Sequence, residues 1–317
     1  MFVEVNKHIN TCMKIVKFIL VIALAFSSMG LHAQSADDLF VSAFNKYSNN
    51  DFTGAIDDYT KVIALQPDMS DAYFNRGICY EKANQYMEAL ADYSKVLEFQ
   101  PADVNALFNR ALVYETLQKY QLAMIDLDKA ISIDSTYAPA YFRRGTLFEK
   151  MNADIEAGRD FHKFLEFYPK NSAALFYLGM LADKVEEYSE AIAWYTLAIA
   201  ADPLLAKAYY NRAYDYDLTF QTTLAIADYT KAVEIDPKYV DAWFNRGYIY
   251  DEMNDFVNAI NDYTMVLQLN PEAADAYYNR GLARISSGFK TLGCDDIQRA
   301  AQLGDKVSKK FYKQNCR

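Results

Sequence analysis

The stretch VDAWFNRGYIYDEMNDFVNAINDYTMVLQLNPEA, residues 240–273, decides the fold, because its pattern returns along the chain at a constant interval. Residues 70–103, SDAYFNRGICYEKANQYMEALADYSKVLEFQPAD, carry the same order of large apolar, small and charged side chains. Strings related to Asn-Arg-Gly begin every 34 residues, at Asn75, Asn109, Arg143, Tyr177, Asn211, Asn245 and Asn279. A strict period of this length, filled with helix-forming residues, predicts a helix-turn-helix unit that stacks on copies of itself.

Proline marks the same interval, which places a helix end once in every unit. The prolines stand at Pro67, Pro101, Pro169, Pro203, Pro237 and Pro271, and Ser135 occupies the remaining slot. Proline fits after a helix end and resists continuation of the helix. With only 11 Gly and 7 Pro in 317 residues, the chain has too few turn formers for a many-stranded sandwich or barrel. We therefore expect an all-helical protein.

The pattern inside each unit resembles the tetratricopeptide repeat. When the proline slot is numbered repeat position 32, large residues fall at 4, 11 and 24, and small ones at 8 and 20. The second and seventh units match this pattern at Tyr73, Gly77, Tyr80, Ala89, Tyr93 and Val96 and at Trp243, Gly247, Tyr250, Ala259, Tyr263 and Val266. The resemblance implies paired antiparallel helices wound into a right-handed superhelical solenoid.

Eight such repeats account for residues 36–307. Their expected boundaries are 36–69, 70–103, 104–137, 138–171, 172–205, 206–239, 240–273 and 274–307. Residues 305–317 are rich in lysine but place Val307, Phe311 and Tyr312 at helical spacing, which predicts an amphipathic helix that caps the last repeat.

Charged residues at two repeat positions change together. Six repeats have Arg at position 7 and Asp at position 23, whereas the fifth repeat has Leu178 and Trp194 at these positions. Pairing within a repeat leaves only Asp58 without an arginine, so we expect ion pairs inside each repeat. The alternative is that both residues are solvated surface charges, worth at most about 1 kcal/mol as exposed pairs.

The resemblance implies a ligand groove formed by positions 2, 5, 9 and 12 of the first helices, whose spacing places them on one helical face. Position 5 is aromatic in every repeat and position 12 is acidic in repeats two to seven. The predicted groove residues are Phe74, Glu81, Phe108, Glu115, Phe142, Glu149, Phe176, Asp183, Tyr210, Asp217, Phe244 and Asp251. Apolar and acidic residues side by side suit a peptide or helix with apolar anchors and Lys or Arg.

Three alternatives to this groove stay open at the sequence level. The aromatic residues can simply pack between neighbouring helices, with the acidic residues forming a solvated face. The aromatic row can instead stack on sugars, which would make the protein a carbohydrate-binding solenoid. A carboxylate pair across the groove would allow an enzyme. The resemblance itself implies that the protein is a non-enzymatic scaffold or adaptor that binds a protein partner.

The composition argues against catalysis, metal binding and nucleic-acid binding. The net charge of −10 lacks the clustered Lys and Arg that phosphate backbones require. The sequence contains no phosphate-binding glycine loop and no His-Glu-x-x-His motif. Outside residues 1–33 the only histidine is His162, next to Phe161, where a structural role is expected. Without further His ligands or acid-base partners, we expect no catalytic residue, metal or cofactor.

Residues 1–33 have the layout of a secretory signal peptide. Lys14 and Lys17 precede the apolar run from Phe18 to Phe26, and small residues lead to an expected cleavage after Ala33. The run is too short to cross a bilayer as a helix, which needs about 20 residues. Either Met1 or Met13 can be the start. We therefore expect an exported protein, periplasmic or extracellular, without a permanent membrane span.

Export bears on the cysteines, because oxidising compartments favour disulfides. Cys294 falls in the second helix of the eighth repeat and Cys316 at the end of the expected cap, so we predict a bridge between them. Two unrelated thiols are the alternative. Cys79, at position 10 of a first helix, is expected to be a small buried residue rather than a nucleophile.

Overall fold

The computed structural model of the protein describes residues 35–316, and the predicted signal peptide lies outside them. In the described range the chain forms 17 α-helices and no strand. It divides after Ile133 into two compact units, which we describe separately. The expected all-α fold of eight helix-turn-helix repeats with a C-terminal capping helix is confirmed.

The first unit holds three helix pairs, one for each of the first three repeats. Its helices are α1 (Ala36–Ser48), α2 (Phe52–Leu65), α3 (Ser70–Lys82), α4 (Tyr86–Phe99), α5 (Val104–Thr116) and α6 (Tyr120–Ile133). Each first helix packs on the second helix of its own repeat, and α2 and α4 also pack on the first helix of the next repeat.

The second unit holds five helix pairs and the cap. Its helices are α7 (Ala138–Lys150), α8 (Asp154–Phe167), α9 (Ser172–Lys184), α10 (Tyr188–Ala201), α11 (Ala206–Leu218), α12 (Thr222–Ile235), α13 (Val240–Glu252), α14 (Phe256–Leu269), α15 (Ala274–Ser286), α16 (Lys290–Gln302) and α17 (Lys306–Asn315). The cap α17 packs on α16 and begins within the 34-residue frame of the eighth repeat.

A small residue against an aromatic ring sets the distance between the helices of a repeat. A Cβ added at Gly77 would lie 2.8 Å from the Tyr93 ring, and one at Gly179 would lie 2.5 Å from the Tyr195 ring. Such distances are far inside van der Waals contact, so a larger side chain there would push the two helices apart. The rings at position 24 are fully buried in repeats with this arrangement.

The six predicted Arg–Asp ion pairs within repeats are confirmed. In each of them a guanidinium nitrogen lies 2.6 to 2.8 Å from a carboxylate oxygen. The pairs are Arg76–Asp92, Arg110–Asp126, Arg144–Asp160, Arg212–Asp228, Arg246–Asp262 and Arg280–Asp296. The aspartates are buried, so these are not the solvated surface charges of the alternative interpretation.

Five of these arginines also donate to the preceding repeat, which the sequence pattern did not predict. Arg76 donates from Nη1 to Thr60 at 2.9 Å, and Arg246 donates from Nη1 to Thr230 at 2.8 Å. Arg110, Arg212 and Arg280 make the equivalent bond to Ser94, Thr196 and Thr264. Each of these guanidinium groups therefore joins the two helices of its own repeat to the second helix of the preceding one.

The two repeats without this arginine are satisfied differently. In the first repeat Asp58 accepts from Lys46 at 2.5 Å, from Lys61 at 2.9 Å and from Ser42 at 2.7 Å. These contacts hold the pKa of Asp58 at about 2 despite its burial. In the fifth repeat Leu178 is buried in place of the arginine, and the Trp194 indole N–H donates to Glu190 at 3.0 Å.

A left-handed residue ends the first helix of every repeat at position 15. The positive φ angles occur at Asn50, Asn84, Gln118, Asn152, Glu186, Phe220, Asn254 and Gly288. Glycine and asparagine tolerate this conformation, whereas bulky residues are disfavoured in it. Phe220, with φ of 60° and a side chain that is 92% exposed, is therefore the most poorly suited residue of the eight.

The cap is fastened to the last repeat by several contacts. Asp305 caps α17 by accepting from the Ser308 backbone N–H at 2.7 Å, and the Phe311 ring lies against Tyr278. Cys294 of α16 and Cys316 are joined by a disulfide, with 5.5 Å between their Cα atoms. Cys79 is buried among apolar residues, and burial raises the pKa of its thiol to about 11.

Replacement of Phe220 by glycine is expected to stabilise the protein. The change Phe220→Gly removes the clash of a Cβ in the left-handed region and a solvent-exposed ring, for a gain of up to about 1 kcal/mol. The matched control is Gly288→Ala, at the same position of the eighth repeat, where an added Cβ meets no atom within 4 Å. Gly288→Ala should destabilise, and both effects are measured by urea unfolding. A Phe220→Gly protein that is less stable than the wild type would contradict the inference that the backbone is strained at Phe220.

Removing one partner of an ion pair is expected to lower the free energy of unfolding more than removing both partners. Arg246→Leu leaves the carboxylate of Asp262 buried without its partner and should cost about 3 kcal/mol. The double variant Arg246→Leu/Asp262→Leu removes both charges and should recover at least part of this loss. The unfolding free energies of Arg246→Leu, Asp262→Leu, the double variant and the wild type give the coupling energy between the two side chains. Additive single effects would show that the pair is energetically independent.

Candidate functional site

The aromatic residues at position 5 are half-buried and pack inside their own repeats. Their rings contact the ring at position 24, with centroid separations of 5.8 Å for Phe74–Tyr93, 5.6 Å for Phe176–Tyr195 and 5.6 Å for Phe244–Tyr263. Phe142 and Tyr210 make the same contact with Phe161 and Tyr229, and Phe108 is also half-buried. These rings therefore support the repeat while part of each stays accessible.

Two of the acidic residues at position 12 are tied to the same aromatic core. The Tyr93 hydroxyl donates to Glu81, and the Tyr195 hydroxyl donates to Asp183. Burial raises the pKa of Glu81, against the effect of the Tyr93 hydrogen bond. The tyrosine at position 24 thus reaches from the core of the repeat to its first-helix face, meaning the face formed by positions 2, 5, 9 and 12.

The other four acidic residues at position 12 have different surroundings. Glu149 accepts from the Lys184 ammonium at 3.3 Å, and Glu115 is half-buried. Burial, followed by repulsion from Glu252, raises the pKa of Asp217 and of Asp251. All six predicted acidic residues are half-buried rather than fully solvated. The structure therefore places them in partly desolvated sites, where a charged partner is felt more strongly than in open water.

A cavity of about 440 Å³ opens in the second unit between the fifth and sixth repeats. It brings together two of the predicted residues, Asp183 and Tyr210. The rest of its lining consists of Lys184, Glu186, Tyr188, Asn211, Tyr214, Asp215 and Leu218. The cavity is thus lined mainly by acidic residues and tyrosines.

Asp215 is the residue of this cavity that the sequence prediction missed. It occupies position 10, where other repeats have the buried residues Cys79, Val113, Leu147 and Ile249. Its side chain lies in an equally buried place, since the residue is only 1% exposed. Apart from a hydrogen bond between the Asp183 and Asp215 carboxyl groups, which requires that one of them is protonated, no described residue donates to the oxygens of Asp215 or to Oδ1 of Asp183. The signal that could have identified it is an aspartate at a position that is apolar in all the other repeats from the second to the eighth.

Asp183 and Asp215 affect each other's protonation. Burial, and after it the negative charge of Asp183, raises the pKa of Asp215 to about 8. Burial also raises the pKa of Asp183, opposed by the hydrogen bond from Tyr195. At neutral pH the two carboxyl groups therefore hold one proton between them, because ionising both in a desolvated site is unfavourable.

Metal binding, membrane spanning and the environment of His162 are the remaining features of residues 35–316 that bear on function. In that range no group of three or more His, Cys, Asp and Glu side chains is arranged to hold a metal ion. The same residues include no helix of the length and apolar character needed to span a bilayer. His162 is exposed, and its ring meets Trp194 edge-on at 5.5 Å between centroids.

Solved structures resemble the chain over much of its length. The C-terminal part of a TPR repeat-containing protein from Cytophaga hutchinsonii is 21% identical, with a TM-score of 0.65 over 76% of this chain and 98% of that one. A tetratricopeptide repeat protein from Parabacteroides merdae is 20% identical, with a TM-score of 0.55 over 90% and 100% of the two chains. YrrB, described as a TPR protein with an unusual peptide-binding site, is 24% identical, with a TM-score of 0.52 over 58% and 95%. These similarities establish the fold alone.

Family models identify the repeats directly from the sequence. Models described as tetratricopeptide repeat match residues 70–103, 104–137, 156–206 and 240–272, and a model described as TPR repeat matches residues 221–254. No curated protein matches the chain significantly. The matched residues make up more than half of the sequence, and the matches at 70–103, 104–137 and 240–272 each cover one helix pair of the structure. The chain therefore belongs to the tetratricopeptide repeat family.

Proposed function

We propose that the protein is a non-enzymatic scaffold that binds a segment of another protein on its first-helix face. The observation that carries the proposal is the combination of half-buried acidic residues and partly exposed aromatic residues on that face. Besides the rings at position 5, Tyr214 and Tyr248 at position 9 are 48% and 46% exposed. Aromatic side chains supply large contact areas, and partly desolvated carboxylates favour a basic partner.

The partner that fits this face is an extended peptide or a helix with apolar anchors and Lys or Arg. The net charge of −10 favours encounter with a basic segment and disfavours an acidic one. The peptide-binding site of YrrB, a protein with the same fold, is consistent with a peptide ligand.

The position-5 rings give less support to the carbohydrate alternative. Sugar binding uses an open aromatic face, whereas five of these predicted rings lie against another ring of their own repeat. We therefore do not propose it as the function.

We also propose that this scaffold acts outside the cytoplasm. Two features support export: the signal-like layout of residues 1–33 and the disulfide between Cys294 and Cys316. Disulfides persist in oxidising compartments, such as the periplasm and the exterior of the cell.

Binding of basic, apolar peptides is expected to depend on the first-helix acidic residues. The full chain is titrated with fluorescent peptides of equal length that are basic and apolar, acidic and apolar, or neutral and polar. The variant Asp217→Asn/Asp251→Asn, in adjacent repeats, should weaken binding of the basic peptides at least about tenfold, or about 1.4 kcal/mol. Anisotropy at two salt concentrations measures the affinity and its electrostatic part.

The matched control removes two acidic charges from other surfaces. Glu156 lies on a second helix and Glu272 in a turn, and both are exposed. The variant Glu156→Gln/Glu272→Gln should bind within about twofold of the wild type if the charge acts locally. Equal losses in the two variants would contradict a site on the first-helix face, and equal affinity for acidic peptides would contradict the proposed partner.

A further inference from the structure

The buried carboxyl group of Asp215 has no structural role that the other repeats require. Four of them fill the same position with Cys79, Val113, Leu147 or Ile249, so an apolar residue is compatible with the fold there. A buried polar group without a donor destabilises the folded state. Asp215 has no hydrogen-bond partner among the described residues except Asp183, with which it shares a proton, so a cationic ligand that donates hydrogen bonds would take the place of that proton.

The surroundings of Asp215 suit a positively charged ligand. Asp183 lines the same cavity, and its Oδ2 accepts from Tyr195 while its Oδ1 has no partner other than the proton shared with Asp215. Tyr188, Tyr210 and Tyr214 form much of the wall. Carboxylates provide charge-assisted hydrogen bonds to a cation, and aromatic faces attract cations as well.

The lysine at the cavity is already engaged elsewhere. The Lys184 ammonium lies 2.8 Å from Asp154 Oδ1 and 3.3 Å from Glu149 Oε1. Both of these carboxylates belong to the fourth repeat, whereas Asp215 belongs to the sixth. Lys184 therefore balances those two carboxylates and leaves Asp183 and Asp215 for an external cation.

We propose that the cavity lined by Asp183 and Asp215 binds one alkylammonium or guanidinium group, supplied by a Lys or Arg side chain of the partner segment. The site rests on the proposed function, since it would be the place on the first-helix face where a basic side chain of the partner is bound. Two carboxylates and a tyrosine wall match one such group. A calcium ion would need six to eight oxygen ligands.

Binding at this site exchanges a proton for the cation. The pKa of Asp215 is raised to about 8. Below that pH its carboxyl group is mostly neutral and binds a cation weakly. Affinity should therefore rise between pH 6 and pH 8, with release of up to one proton on binding at pH 7. The titratable groups that line the cavity with Asp215 are Asp183, Lys184, Glu186, Tyr188, Tyr210 and Tyr214. The Tyr195 hydroxyl, which donates to Asp183, lies next to them.

The test uses small probes that contain only the charged group. N-acetyl-lysine amide and N-acetyl-arginine amide are titrated into the full chain by ligand-observed NMR, and proton release is measured by calorimetry in buffers of different ionisation enthalpy. Asp215→Leu restores the residue of the fourth repeat at this position, and Asp215→Asn keeps the shape without the charge. Both variants should lose at least tenfold in affinity.

Two controls separate loss of the site from loss of the fold. Asp215→Leu should raise the melting temperature, because it replaces a buried carboxyl that repels Asp183 with an apolar side chain of the kind other repeats have there. Glu272→Gln, an exposed turn residue outside the cavity lining, should bind the small probes within about twofold of the wild type. Unchanged probe binding by Asp215→Leu and Asp215→Asn would overturn the proposal.

The source of the cation is decided by two further titrations. A basic peptide that binds more tightly than putrescine, and loses affinity in Asp215→Leu, supports a partner side chain. Tighter binding of putrescine than of any lysine peptide, or occupation of the site by Ca²⁺ in place of the amine, would overturn that source.

The site and the proposed function fail in different ways. If the small amides bind and the basic peptides do not, the scaffold function is wrong while the amine site stands. If the basic peptides bind the wild type and Asp215→Leu equally, the scaffold function stands and the amine site is wrong.

Discussion

The contact between a small residue at position 8 and a large buried side chain at position 24, an aromatic ring in six of the eight repeats, is the constraint on which the repeats depend. It sets how closely the two helices approach, as at Gly77 and Tyr93. The same tyrosine extends to the first-helix face, where its hydroxyl meets Glu81. In the fifth repeat the Tyr195 hydroxyl also accepts from Asn211 of the next repeat at 3.1 Å. Core packing, the acidic face and contact between repeats are thus linked through one ring.

The sequence predicted the repeated features well because each of them is a local consequence of the 34-residue period. Helix pairs, Arg–Asp pairs within repeats and the capping helix all follow from spacing and charge balance. The bonds from the arginines to Thr60 and Thr230 could not be predicted, because they depend on how one repeat is rotated against the preceding one. The partners of the acidic residues, such as Tyr93, depend on the same three-dimensional detail.

The residue that contributes most to the candidate site departs from the repeat pattern. The predicted groove consists of positions that share one helical face, and position 10, where Asp215 lies, is not among them. The departures also cluster: the fifth repeat lacks the Arg–Asp pair, having Leu178 and Trp194 instead, and the sixth carries the buried carboxyl. In repeat proteins the shared residues maintain the stack, so residues that break the pattern are informative about binding.

The disulfide between Cys294 and Cys316 makes the last repeat sensitive to how the protein is prepared. When it is reduced, α17 is held by noncovalent contacts alone, such as those of Phe311 with Tyr278. Release of this ten-residue helix would uncover the part of α16 on which it packs, including Ala301 near Tyr312. Protein produced in a reducing cytosol would then expose a surface that is covered in the oxidised protein. Self-association of such a recombinant sample would report the redox state of its cysteines rather than its function.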